Sequence, residues 1–214
     1  MAKAKIIIGI DEVGRGALCG PVTVAAFAFL QHGTFPPRVG NVPLRDSKRL
    51  TPRARETWFR AMKEKARAGY VAFVTARVTP RIVDRVNISS AANLAATRAY
   101  ERLIANARLS PASLTVLLDG GLYIRPRAGL MPHRTRTIVR GDEKIPEIQL
   151  ASIAAKVTRD RAMVRLHARH PAYGLAAHKG YGTRVHRKAI SHHGPVKGLH
   201  RLTFLTKFPR MNTV

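Results

Sequence analysis

KIIIGID (5–11) runs continuously apolar up to its closing aspartate, which predicts a central strand covered on both faces. GRGALCGP (14–21) follows, with three glycines and a proline, the composition of a turn in which backbone comes close to something. VTVAAFAFL (22–30) then reads as a second strand, hairpin-paired with the first.

Outward from that hairpin, residues 31–44 read as a loop. Thr51 is placed as a helix N-cap with Pro52 at the first helical position, and the helix is expected to reach Ala68 and stop at Gly69. YVAFVTARV (70–78) alternates as a strand, and a short helical turn follows Thr79-Pro80. Ser89 or Ser90 is placed as the cap of an Ala-rich helix running to Ala107. LTVLLD (114–119) is another apolar strand and RTIVR (136–140) a short one. A helix from Glu147 to His167 and a last helix over 184–192 follow. Strands first, then strands alternating with helices, predict an α/β fold with a mixed sheet flanked by helices. A catalytic domain over 1–170 is expected, with a basic, helical C-terminal segment over 171–214 packed on it.

The chain has 214 residues, 45% of them apolar, enough for one domain with a real core. Lys and Arg number 38 against 12 Asp and Glu, a formal charge of +26. A domain this basic repels itself unless a polyanion compensates. Nucleic acid is the expected partner, because each cation that meets a phosphate releases a condensed counterion. A membrane surface is the rival. The first apolar run is strand-length, too short for a signal segment or a membrane span. A cytoplasmic monomer without a membrane partner is expected. Cys19 is the single cysteine; with no CxxC pair and scattered histidines, structural zinc is not expected.

Asp11, Asp119 and Asp142 close the runs KIIIGID, LTVLLD and RTIVRGD. In α/β sheets, sites assemble outside the carboxyl ends of strands, so three such aspartates would converge, and Glu12 adds a fourth carboxylate. Any one of them could merely open a turn or cap a helix. Three together, in a chain with 12 acids, argue for a site. Four carboxylates cannot all stay ionised side by side without a cation, and oxygen-only ligands favour Mg²⁺ or Mn²⁺. Because strand side chains alternate between faces, Asp11 and Glu12 are expected to share a site only if the chain leaves strand geometry there, which Gly14 and Gly16 would permit. Metal and basic charge belong together in phosphodiester hydrolysis. One ion activates water, a second about 3.5–4 Å away stabilises the leaving oxygen, and the basic surface holds the polyanion.

GIDEVGRGALCGPV (9–22) resembles the opening motif of prokaryotic ribonuclease HII, the type 2 ribonuclease H. RDSKRLT (45–51), VNISSAANLAA (86–96), LLDG (117–120), VRGD (139–142), ASIAAKVTRDR (151–161), HPAYGLAAHKGYGT (170–183) and HGPVKGLHRLTF (193–204) continue the match in the same order. The resemblance implies an RNase H-like fold with a C-terminal helical segment. It implies endonucleolytic cleavage of RNA–DNA hybrids, and of duplex DNA 5′ to an embedded ribonucleotide, leaving 3′-hydroxyl and 5′-phosphate ends. It assigns the four catalytic, metal-binding acids to Asp11, Glu12, Asp119 and Asp142. Gly14, Arg15 and Gly16 match the GRG segment, whose backbone meets the 2′-hydroxyl, the one group that separates RNA from DNA at a position. Tyr181 matches a tyrosine that packs on the deoxyribose beyond the junction, and Lys48 a phosphate-contacting lysine. Lys156, Thr158 and Arg159 fall in AKVTRD and are candidates to support the site or touch phosphate. Asp46 and Asp160 are left out of the metal site, as surface or loop partners of arginine. Departures from the pattern, such as Val13, Cys19, Thr23, Gly121 and Gln149-Leu150, touch no catalytic acid.

Two other functions compete. A junction resolvase or integrase-type nuclease would share the acids but not GRG or HKGYG. A non-catalytic nucleic-acid-binding module would use the charge alone and leaves four acids at strand ends unexplained.

Overall fold

The computed structural model describes residues 6–31 and 35–206; Lys5, at the head of the predicted first strand, and the tail beyond Thr206 lie outside them. In chain order the elements are β1 (Ile6–Val13), β2 (Val22–Phe29), β3 (Arg38–Val39), β4 (Val42–Pro43), α1 (Pro52–Arg67), β5 (Val71–Val78), α2 (Pro80–Val86) and α3 (Ile88–Asn106). They continue with β6 (Leu114–Asp119), β7 (Arg134–Ile138), α4 (Gly141–Lys144), α5 (Pro146–Arg169), α6 (Leu175–His178), α7 (Arg184–His193) and α8 (Leu202–Leu205). The main sheet has the order β5-β2-β1-β6-β7. β2 is antiparallel to both β1 and β5, whereas β1, β6 and β7 run parallel. The mixed α/β sheet expected from sequence is present, and its central strand is β1.

The apolar runs are central because both of their faces are covered. Ile8, Ile10, Val24 and Ala26 pack with Ala92, Ala95, Ala99 and Leu103 of α3 on one side. Ala25 and Phe27 meet Trp58 of α1 and Leu150, Ile153 and Ala154 of α5 on the other. α3 begins earlier than Ser89. Asn87 is its N-cap, with φ 67 and ψ 167, and its side chain accepts from the Ser90 N–H at 2.9 Å, the bond for which asparagine is favoured at this position. β7 ends at Ile138 rather than 140. Its residues are mostly exposed, so no apolar pattern marks its bounds. The C-terminal segment packs through Tyr173, Leu175, Ile190, Leu199 and Leu205 on Leu18, Cys19 and Met163. It therefore braces the glycine turn at 14–21. Among the described residues no helix is long and apolar enough to cross a membrane.

Candidate active site

The last parallel pair of β1 and β6 is Ile10 with Leu118, and one step beyond it Asp11 stands beside Asp119. β1 does not leave strand geometry at the acids, as alternation had led us to expect. It stays paired with β2 through Val13 opposite Thr23. On its other side the pairing with β6 ends at Ile10 and Leu118, so both acids lie past the end of that ladder. The Asp11 carboxylate folds back to accept the Glu12 N–H at 2.7 Å. Asp11, Glu12 and Asp119 thus each offer a carboxylate oxygen within 4.8 Å of the others. Burial, and then the Glu12 and Asp119 charges, raise the Asp11 pKa well above the usual carboxylate range; the Ser152 hydroxyl works the other way. Burial also raises Glu12, against the opposing pull of Arg15. Glu12 Oε2 is buried with no hydrogen-bond partner. An all-oxygen set with an unpartnered carboxylate oxygen and raised pKa values fits a hard divalent cation.

Asp142 does not close a strand. Beyond β7 the chain passes Val139 and turns through Arg140, at φ 56 and ψ 45, so that Asp142 lies in the first turn of α4. Asp119 Oδ1 accepts the Gly141 N–H at 2.7 Å and the Asp142 N–H at 3.4 Å. Asp119 therefore caps α4 and faces the acidic cluster at once. The buried Asp142 carboxylate takes the Lys48 ammonium at 2.9 Å. That hydrogen bond holds Lys48 above its ordinary pKa. Lys48 is exposed along most of its length and so sits at the mouth of the site.

The glycine turn is held by Arg159, a candidate support of the site from its place in AKVTRD, and by Arg201, which the sequence did not flag. Arg159 is fully buried and donates to the carbonyls of Pro21, Cys19 and Lys179 at 2.9–3.2 Å. Arg201, also fully buried, donates to the carbonyls of Gly20 and Arg15. Gly14 has φ +90, and a Cβ there would lie 2.2 Å from Arg159 Nε. Arg15 reaches Glu12 at 3.3 Å and donates to the Gly121 carbonyl at 2.9 Å. Gly16 is exposed, with open space where a side chain would stand. Tyr181 is half-buried, lies 5.3 Å from the Arg159 guanidinium and bridges to Ala17. Ser47 and Ser152 share a buried hydrogen bond of 2.8 Å that ties the Lys48 segment to α5. Asp46 accepts from the Lys48 N–H; Asp160 pairs with Lys156 at 2.9 Å and Arg55 at 3.7 Å. Lys156 thus serves Asp160.

The histidines are less scattered than they look in sequence. Cys19, His186 and His200 place ligand-type atoms within 4.8 Å of one another, all buried. The hydrogen bonds argue against a metal there. His200 Nδ1 accepts the Val196 N–H at 2.9 Å, so in the neutral ring Nε2 carries the proton and has no lone pair to give. His186 Nδ1 faces the Tyr181 carbonyl and must donate. Only its Nε2 is free, and burial has pushed the Cys19 thiol to about 12. Burial pushes His186 and His200 down to about 4. Between pH 6.5 and 4 the unfolded chain takes up protons that these native imidazoles refuse. Their contribution is therefore full above pH 6.5 and is lost as pH falls, by roughly 3 kcal/mol for one ring. Denaturant melts at pH 7 and 5 should show wild type losing more stability than a His186→Asn/His200→Asn variant, which keeps the Nδ1 contacts. Equal losses would show that these rings titrate normally.

A family model described as ribonuclease HII matches residues 8–207. Proteins named ribonuclease HII from Chlorobaculum parvum and Coxiella burnetii are 43% and 40% identical, over 92% and 93% of this chain and 88% of each of theirs. Among solved structures, ribonuclease H2 from Pyrococcus horikoshii OT3 superposes with TM-score 0.67 at 22% identity, covering 98% of this chain and 100% of that one. Bst-RNase HIII in complex with Mn²⁺ gives 0.70 at 18%, covering 97% of this chain and 69% of that one. At such identities the two structures speak for the fold.

Proposed function

The chain belongs to the ribonuclease HII family and is a ribonuclease H endonuclease; from that premise we propose that it hydrolyses the RNA strand of RNA–DNA hybrids and cuts duplex DNA 5′ to an embedded ribonucleotide. The products carry 3′-hydroxyl and 5′-phosphate ends. The observation behind this reading is the convergence of Asp11, Glu12 and Asp119 at the end of β1, with Asp142 alongside on α4. These four would hold Mg²⁺ or Mn²⁺, with two ions during catalysis. When bound, the ions supply an activated water and neutralise charge at the leaving oxygen.

The protein's own groups do the rest. Arg201 holds the Arg15 carbonyl and Arg159 the far end of the same turn at Cys19 and Pro21, which keeps the Gly14–Gly16 backbone in place to read a 2′-hydroxyl. Tyr181, docked on the same turn, packs against the deoxyribose beyond the junction. Lys48, exposed at the mouth of the site beside Asp142, contacts a substrate phosphate. The segment from 171 onward serves as the clamp behind the turn. Such an activity would serve DNA replication and ribonucleotide excision repair in the cytoplasm.

Gly16→Ala should leave the melting temperature unchanged, since a Cβ there meets nothing, yet raise KM for ribonucleotide-containing duplex. Unchanged KM would remove Gly16 from the substrate contact. The reaction class is tested on a labelled RNA–DNA hybrid beside an all-DNA duplex, with Mg²⁺, with Mn²⁺ and with EDTA. RNA-strand cleavage with 5′-phosphate ends, abolished by EDTA, is expected. Binding without cleavage under either metal would leave only the binding-module reading.

A further inference from the structure

A cationic trough lies at the β5 edge of the sheet, away from the carboxylates. One cavity of about 540 Å³ is lined by Arg77 of β5, Arg102 of α3 and Arg165 and Arg169 of α5. A second of about 500 Å³ shares Arg169 and adds Arg81 and Lys197. No aspartate or glutamate lines either cavity. Arg77, Arg102, Arg165 and Arg169 are exposed and make no ion pair among the described residues.

The acids that could have neutralised them are engaged elsewhere. Asp84 accepts from Leu202 and Thr203, Glu56 pairs with Arg161 and Glu101 with Arg127. Arg165 and Arg169 are one helical turn apart, where like charges oppose each other. Guanidinium forks match phosphate oxygens in pairs, and two adjoining cavities suit a row of phosphates better than a single one.

We propose that this trough is a second nucleic-acid site, gripping the phosphodiester backbone of a duplex at a distance from the cut. α5 links the two places. Ser152 on that helix supports Asp11, and Arg165 stands thirteen residues on, about 20 Å by helical rise. That spans about six phosphate steps at ~3.4 Å each, so one duplex can reach both. The inference uses the nuclease reading only for the identity of that duplex.

The test is binding of an uncleavable all-DNA duplex of about 30 base pairs in EDTA across a salt series, which needs no catalysis. Neutralising Arg77, Arg165 and Arg169 to Gln should weaken binding on the order of 10- to 100-fold at about 0.1 M salt. It should also make the log–log salt slope shallower by about 3. Cleavage at saturating substrate should be retained. A control with Arg60, Lys63 and Arg67 of α1 changed to Gln removes the same charge elsewhere. Equal losses in both variants, or an unchanged slope in the first, would overturn the proposal. So would stabilisation by inorganic tripolyphosphate that the trough variant loses while its DNA binding stays intact, which would assign the trough to small polyphosphates.

Discussion

Asp119→Asn should lower cleavage by about a thousandfold or more while leaving DNA binding as strong as wild type or stronger. Asparagine keeps the Oδ1 acceptor that caps Gly141 at 2.7 Å, so α4 and Asp142 stay in place. What disappears is one anionic ligand of the cluster. A cation held there would be worth several kcal/mol of charge stabilisation, and about 4 kcal/mol corresponds to about a thousandfold in rate. Loss of one negative charge beside a polyanion cannot weaken association. Single-turnover cleavage and anisotropy on the same duplex separate the two effects. Wild-type cleavage in the variant would remove Asp119 from the chemistry, and loss of binding would reassign it to the fold.

Gly9→Ala should be strongly disruptive for so small a substitution. A Cβ at Gly9 would lie 2.2 Å from the Glu147 carbonyl carbon and 2.4 Å from the Ile148 nitrogen. Both are backbone atoms of the first turns of α5, and neither can swing away. The helix must lift from β1 as a unit. It carries Ser152, Arg159 and the apolar face that meets Ala25 and Phe27. Overpacking of this kind costs about 3 kcal/mol or more, which for a chain of this size is a fall of roughly 6–12 °C in Tm. Cleavage should drop too in whatever fraction remains folded, because Ser152 no longer meets Asp11. Gly16→Ala is the internal control, with open space at its Cβ. A Gly9→Ala protein that melts like wild type would mean that α5 does not seat on β1 as closely as described.

Much of the site was legible because continuous apolar runs end in acids at Asp11 and Asp119, and central strands announce themselves by being apolar on both faces. The route to Asp142 was not. β7 is an edge strand with exposed residues, and the chain reaches α4 through a left-handed arginine, which no pattern marks. Alternation misled at Glu12, because it does not register that the β6 ladder ends before Asp11 and that the Asp11 carboxylate folds back to the Glu12 N–H. The buried role of Arg201, and the carbonyl partners of Arg159, were illegible for another reason. Arginine is ordinarily a surface residue, and their partners are backbone carbonyls, which leave no trace in sequence. Cys19, His186 and His200 meet only through tertiary packing, so spacing could not bring them together, and tautomer logic was needed to dismiss them as a metal site.

The most direct measurement of the central claim uses a labelled DNA duplex carrying one ribonucleotide, incubated with Mg²⁺ and the product ends mapped. A single cut 5′ to the ribonucleotide, absent with EDTA and with Asp119→Asn, is the expected result. Cleavage confined to long hybrids, with the single-ribonucleotide duplex untouched, would contradict the roles given to Gly14–Gly16 and Tyr181.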